Sequence, residues 1–170
     1  MAVLLSVRPK WCELIASEKK TVEVRKTRPK IETPFKCYIY QTADGRTNSV
    51  DILENNLSKV IGEFVCESIY PIRYEMDGFA DFIDCKTSCL KPKDFIAYGK
   101  GKPLYGWHIS DLVIYDKPKE LNEFYLKKKC NSCKRSGYES SACIYDEDCI
   151  VPVVITRPPQ SWCYVQDLEG

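Results

Sequence analysis

The chain opens on an apolar run, Ala2-Val3-Leu4-Leu5-Ser6-Val7, which predicts a first buried strand. Arg8-Pro9 switches it to a helix, because proline suits the first helical turn, and Trp11, Leu14 and Ile15 at i, i+3 and i+4 form the stripe expected to face inward. That helix stops near Ser17. From Thr21 to Lys26 charged and apolar positions alternate, so a strand there carries Val22 and Val24 on one face and Thr21, Glu23 and Arg25 on the other. A stiff basic connection, Arg28-Pro29 to Thr33-Pro34, leads into a third strand, Cys37 to Gln41. Residues 42–58, with Asp44-Gly45 and Asn55-Asn56, read as a polar excursion. Lys59 to Ile72 suits a long central strand of a curved sheet. Residues 77–98 hold one or two short helices, the better running from Lys91 to Tyr98 and ended by Gly99-Lys100-Gly101, and a further strand spans Leu104 to Tyr115. After Tyr125 the character changes: residues 127–149 read as a polar, cysteine-rich insertion, and strand-like composition returns over 150–156. Many short strands with few helices predict an α+β chain, mainly β, built as a small barrel or strongly curved sheet with short helices packed at its ends.

A chain of 170 residues fits one domain, 1–170, with a sizeable core. The formal net charge of +1 excludes no class of partner, but residues 1–36 hold nine Lys or Arg against four Asp or Glu. Such a concentration is the footprint of an anionic partner, and ordinary solvated surfaces share it. No apolar stretch reaches the roughly 20 residues of a membrane span. Met1-Ala2-Val3-Leu4-Leu5 lacks the charged start and long apolar middle of a signal peptide, so a cytoplasmic protein with no membrane partner is expected. Ten cysteines in such a chain are core residues, metal ligands or reactive thiols rather than a disulfide framework.

Thr21, Glu23 and Arg25, just after Lys20, line up a hydroxyl, a carboxylate and a guanidinium beside an ammonium. The grouping suits gripping a polar ligand or moving a proton, and it equally suits a solvated sheet face with a cross-strand ion pair. Ser6-Val7-Arg8-Pro9-Lys10-Trp11 followed by Lys20-Thr21-Val22-Glu23-Val24-Arg25 resembles the opening signature of the ASCH domain family, a branch of the PUA-like superfamily of RNA-binding and modified-base-binding β-barrels. Lys19 stands where glycine is frequent in that family. The resemblance continues through Val60-Ile61-Gly62-Glu63-Phe64 and Tyr105-Gly106-Trp107-His108-Ile109, and so covers residues 1–116 and the final strands. It implies a PUA-like small β-barrel binding RNA or a modified nucleoside in a cleft lined by Arg8, Lys20, Glu23 and Arg25, with Trp11, Thr21, Trp107, Arg157 and Trp162 as further ligand contacts.

Some ASCH-like proteins are amidohydrolases that deacylate a modified cytidine with a lysine, a threonine two positions before the arginine, and a glutamate from a later strand. Aligned on Lys20 and Arg25, this chain has Glu23 where that threonine belongs, and Thr21 lies two positions away from it. Glu63 would supply the later carboxylate. If the chain is an enzyme on this cleft, an N-acylated cytidine amidohydrolase or a ribonuclease, Lys20, Glu23 and Glu63 are its catalytic candidates. If it is not, Lys20, Glu23 and Arg25 form a binding triad. A protein-interaction adaptor is the third class.

Base recognition needs flat π surfaces beside cations. Trp11, Tyr105, Trp107 and Trp162 offer the surfaces, and Arg8, Lys10, Lys20, Lys100, Lys102 and Arg157 the charge, with core packing the competing role for Trp11 and Trp107. Arg157-Pro158-Pro159-Gln160-Ser161-Trp162 is a proline-stiffened loop ending in an amide, a hydroxyl and an indole, and it resembles a segment of phage-type members of the family. Cys130-x2-Cys133-x9-Cys143-x5-Cys149 is a candidate structural zinc site, since four thiolates so spaced can surround a tetrahedral ion. Its second half departs from the usual ligand spacing, and the alternative is a loop with incidental cysteines. Too few apolar residues lie between them to fold by burial alone, which favours zinc. His108, the only histidine, is a general base or a hydrogen-bonded structural residue.

Overall fold

The computed structural model describes residues 1–43, 57–73, 82–129 and 150–168. In chain order the elements are β1 (Ala2–Val7), α1 (Pro9–Ala16), β2 (Val22–Arg25), β3 (Phe35–Gln41), β4 (Lys59–Ile72), α2 (Phe82–Ser88), α3 (Pro92–Gly99), β5 (Leu104–Lys119), β6 (Tyr125–Lys129), β7 (Ile150–Val154) and β8 (Trp162–Val165). Six strands form one sheet in the order β2-β5-β4-β3-β1-β8, and β6 pairs with β7 in a separate hairpin-like ladder. Every position of β1 is buried, as its apolar run requires of a strand with neighbours on both sides. It runs parallel to β3, with Val3 opposite Cys37, and antiparallel to β8, with Leu5 opposite Trp162.

Strand alternation divides the interior. Val3, Leu5 and Val7 join Cys37 and Ile39 in one cluster, which α1 covers with Cys12 and Ile15. Ala2 and Leu4 join Tyr38 and Tyr40 in a second, closed over by Phe124 and Ile155. A third, Val24, Ile72, Phe95 and Leu104, seats α3. The stripe predicted for α1 needs correction: Pro9, Cys12 and Ile15 are its buried residues, while Trp11 and Leu14 are only partly covered. The entry from β1 sets the rotation, placing the Cys12 thiol on the Val7 carbonyl at 3.6 Å.

A closed barrel was the expectation, but among the described residues no backbone ladder joins β2 to β8, which remain the edges of the sheet. Both are four residues long, and side chains make the join instead. Arg25 donates to the carbonyl and the hydroxyl of Ser161, each at 3.4 Å. Trp162 Nε1 donates to Thr27 Oγ1 at 3.0 Å, and the Lys30 backbone N–H donates to the Tyr164 hydroxyl at 2.7 Å. The result is a curved, split sheet with its seam at β2 and β8. Inside the sheet β4 and β5 approach so closely that a Cβ on Gly62 would lie 2.4 Å from the Val113 carbonyl oxygen. Of the residues read as an insertion, Lys127 to Lys129 belong to β6, and Cys130, Cys133, Cys143 and Cys149 lie outside the described residues. Among the described residues no helix is long and apolar enough to cross a membrane.

Candidate functional site

Helix α2 ends at Ser88, and its last carbonyls have no partner within the helix. The segment entering β2 supplies the donors. Thr21 N–H donates to the Thr87 carbonyl at 2.9 Å, and the Lys20 ammonium donates to the carbonyls of Ser88 and Val22, both at 2.8 Å. A cation at a helix C-terminus also meets the negative end of the helix dipole. The third direction of the ammonium points to Glu23 Oε2 at 3.3 Å. Glu23 Oε1 in turn holds the Arg25 guanidinium at 3.0 Å, and that guanidinium reaches across to donate to the Ser6 carbonyl of β1 at 2.8 Å. Lys20, Glu23 and Arg25 are 3%, 7% and 7% exposed, which removes the solvated-face alternative: both faces of β2 are buried. One carboxylate clamped between two cations offsets much of the desolvation that an isolated buried charge would suffer. Arg25 Nε is buried without an acceptor among the described residues.

The triad forms one wall of a cleft of about 520 Å³. Arg8 and Trp11 border it from the start of α1, and Gln160 from the loop before β8. Asp94, Ala97 and Tyr98 border it from α3, where i, i+3 and i+4 share one face. Two ammonium groups lie over the Trp11 ring, Lys10 at 5.0 Å and Lys20 at 5.2 Å from its centroid. Burial pushes the Tyr98 phenol above its ordinary pKa, with Arg25 opposing and Glu23 adding to the shift, so the hydroxyl keeps its proton and can donate. Asp94 already accepts the Lys91 backbone N–H at 2.9 Å as part of the α3 N-terminus.

The structure brings Arg8, Trp11, Lys20, Glu23 and Arg25 together at one cleft. Thr21 does not border the cleft, its N–H and carbonyl being tied to Thr87 and Ile109. Trp107 is fully buried between Phe35 and Trp162, with ring centroids 5.8 Å and 6.0 Å away, and is a core residue rather than a stacking surface. Trp162 is committed to the seam, and Arg157 is exposed outside the cleft lining, the loop contributing Gln160 instead. Glu63 does not share the cleft. It sits in a separate hollow of about 580 Å³, where it accepts the Tyr115 hydroxyl and pairs with Lys36 Nζ at 3.3 Å. The register of β4 against β3 sets Glu63 opposite Tyr38, in the strand face that packs with the second cluster. His108 is half-buried, with Nδ1 3.5 Å from Glu67 Oε2. Among the described residues no group of His, Cys, Asp or Glu is placed to hold a metal ion. Sequence reasoning missed Asp94 and Tyr98; their i, i+4 spacing on a helix whose Phe95 turns inward was the available signal.

No protein-family model and no curated protein matches the chain. Solved structures do. ASCH from Zymomonas mobilis is 19% identical, with 99% of this chain and 90% of that chain covered and a TM-score of 0.59. A tyrosine-to-phenylalanine variant of that protein is 18% identical over 97% and 90% of the two chains, with a TM-score of 0.55. A serine-to-alanine variant is 18% identical over 97% and 88%, with a TM-score of 0.56. The likeness is one of architecture: the chain has the ASCH fold.

Proposed function

We propose that this chain is an ASCH domain protein that binds a nucleobase-bearing ligand, RNA or a modified nucleoside, in the cleft walled by Lys20, Glu23 and Arg25. One observation carries the reading: a buried, ion-paired charged triad forms the wall of an open cleft rather than the centre of a core. Apolar residues fill a core at least as well as a buried ion triad does, so such a triad at a cleft wall argues for a fixed array of charge facing a ligand. The volume suits one nucleoside, since ligand pockets run from roughly 300 to 1,000 Å³. Arg8 is exposed, pairs with no carboxylate among the described residues and suits a phosphate, while Gln160 and the Tyr98 hydroxyl suit the polar edge of a base.

The geometry favours binding over hydrolysis. All three donors of Lys20 already have acceptors, and both oxygens of Glu23 face cations. With Glu63 in another hollow, the later-strand carboxylate that the hydrolase reading requires is not beside Glu23, and the cleft's other carboxylate, Asp94, already accepts the Lys91 backbone N–H. The test is retention of species from a mixed nucleoside and RNA pool, identified by mass spectrometry, for the unmodified protein and for Trp11→Ala and Arg8→Ala. Losing an aromatic platform costs about 1–3 kcal/mol per stacked base, so Trp11→Ala should weaken retention by roughly tenfold. No retention at low ionic strength overturns the reading. Conversion of an acylated cytidine or an RNA by the unmodified protein would transfer it to the hydrolases.

A further inference from the structure

The β2–β3 connection leaves the cleft at Lys26 and is fixed to the rest of the molecule at three points. Thr27 accepts the Trp162 indole N–H, Pro29 is buried, and the Lys30 backbone N–H is held by the Tyr164 hydroxyl at 2.7 Å. Between these anchors the side chains of Lys26, Arg28 and Lys30 are exposed, and none pairs with a carboxylate among the described residues. Two of them are placed over aromatic rings. Lys26 Nζ lies 4.7 Å from the centroid of Tyr98, which itself borders the cleft, and the Arg28 guanidinium lies 5.9 Å from that of Tyr105. A row of cations without carboxylate partners among the described residues, on an anchored backbone and with two of them held over phenol rings, is the combination that tracks the sugar-phosphate backbone of a single strand.

We infer that the ligand continues out of the cleft as a single-stranded polynucleotide whose backbone follows Lys26, Arg28 and Lys30. The inference rests on the cleft reading above and sharpens it: the ligand is a strand, of which one unit occupies the cleft, rather than a free nucleoside. Anchoring matters here, because a pre-ordered row of cations loses less conformational freedom on binding than a floppy one. A duplex is not the fit, since a cleft of this volume takes one unpaired base.

The experiment compares a labelled oligouridylate, the matching oligodeoxyuridylate and uridine monophosphate, each titrated over a range of salt against the unmodified protein and against Lys26→Ala/Arg28→Ala/Lys30→Ala. The three positions are exposed, so the variant should fold, and its thermal melt is recorded beside that of the unmodified protein. The expected result is tight oligonucleotide binding that falls by tenfold or more in the triple variant, with the log–log salt slope smaller by about 2, since each single-strand phosphate contact contributes about 0.7. Binding of uridine monophosphate should stay unchanged. Equal affinity of the ribo- and deoxyribo-oligomer would assign the path to the phosphates alone, and a ribo preference would add the 2′-hydroxyl; both support the path. Oligonucleotide binding with unchanged affinity and slope in the variant overturns the path and leaves the cleft reading standing. So does retention of the mononucleotide without the oligomer. Failure to retain any of the three overturns both.

Discussion

Glu23 is the residue on which the site's charge balance turns. Replacing it with glutamine keeps the shape but leaves two buried cations facing each other, so Glu23→Gln should cost about 3 kcal/mol in urea unfolding. Adding Lys20→Met removes one of those cations, and the double variant should be less destabilised than the sum of the singles. Strict additivity would mean that the triad is not a coupled unit. A second prediction concerns the thiols. Burial pushes Cys66 up to about 12 from 9.0, and Cys12 and Cys37 are also raised, chiefly by burial. Their unfolded-state thiols ionise first, so this stability is whole below about pH 9 and is lost as the pH rises toward the folded-state value, at up to about 1.4 kcal/mol per pH unit per thiol. Unfolding curves across that range should fall less steeply for Cys66→Ala, and identical slopes would refute the account. At this scale the sequence was readable where spacing decides, as with Lys20, Glu23 and Arg25, which share a short segment. It was misleading where size was taken for depth: Trp11 borders the cleft while the smaller Cys12 lies beneath it.

Elements were legible where one pattern dominates. Ala2–Val7 and Lys59–Ile72 match the strands read from their apolar runs. β5 continues to Lys119, four residues past the expected end, because its outer half pairs with β4 on backbone bonds that polar side chains do not advertise. β6 was hidden for the same reason, Lys127 to Lys129 being polar residues in a ladder with Ile150 to Pro152. The closeness of β4 and β5 yields a prediction that no pattern contains: Gly62→Ala must displace the Val113 carbonyl, and overpacking of this kind costs about 1–3 kcal/mol in thermal or urea unfolding. The β6–β7 ladder sets Lys129 opposite Ile150, so it gathers the two ends of the cysteine-bearing segment. We propose that Cys130, Cys133, Cys143 and Cys149 hold a structural zinc there, and elemental analysis of protein purified without added metal should find about one zinc per chain. Less than about a tenth of that in folded protein would refute it.

For the molecule as a whole, the expected closed barrel and the observed split sheet differ by one join, and no local pattern specifies a join between residues more than a hundred positions apart. Arg25 spans it, touching Ser6 on one side and Ser161 on the other. Arg25→Met should therefore quicken amide hydrogen exchange in β8 and β2 well beyond that in β3 and β4, whose ladders do not depend on it. Uniform quickening across the sheet would show that Arg25 supports global stability instead. The seam also divides the labour of the sequence. Ladders of backbone hydrogen bonds hold the sheet together with little regard for side-chain identity, whereas the gap between β2 and β8 is spanned by replaceable groups. Exchange of Arg8 or Gln160, which border the cleft but belong to no ladder, would alter what it grips without unpairing a strand, so descendants of such a chain can change ligand while inheriting the same frame.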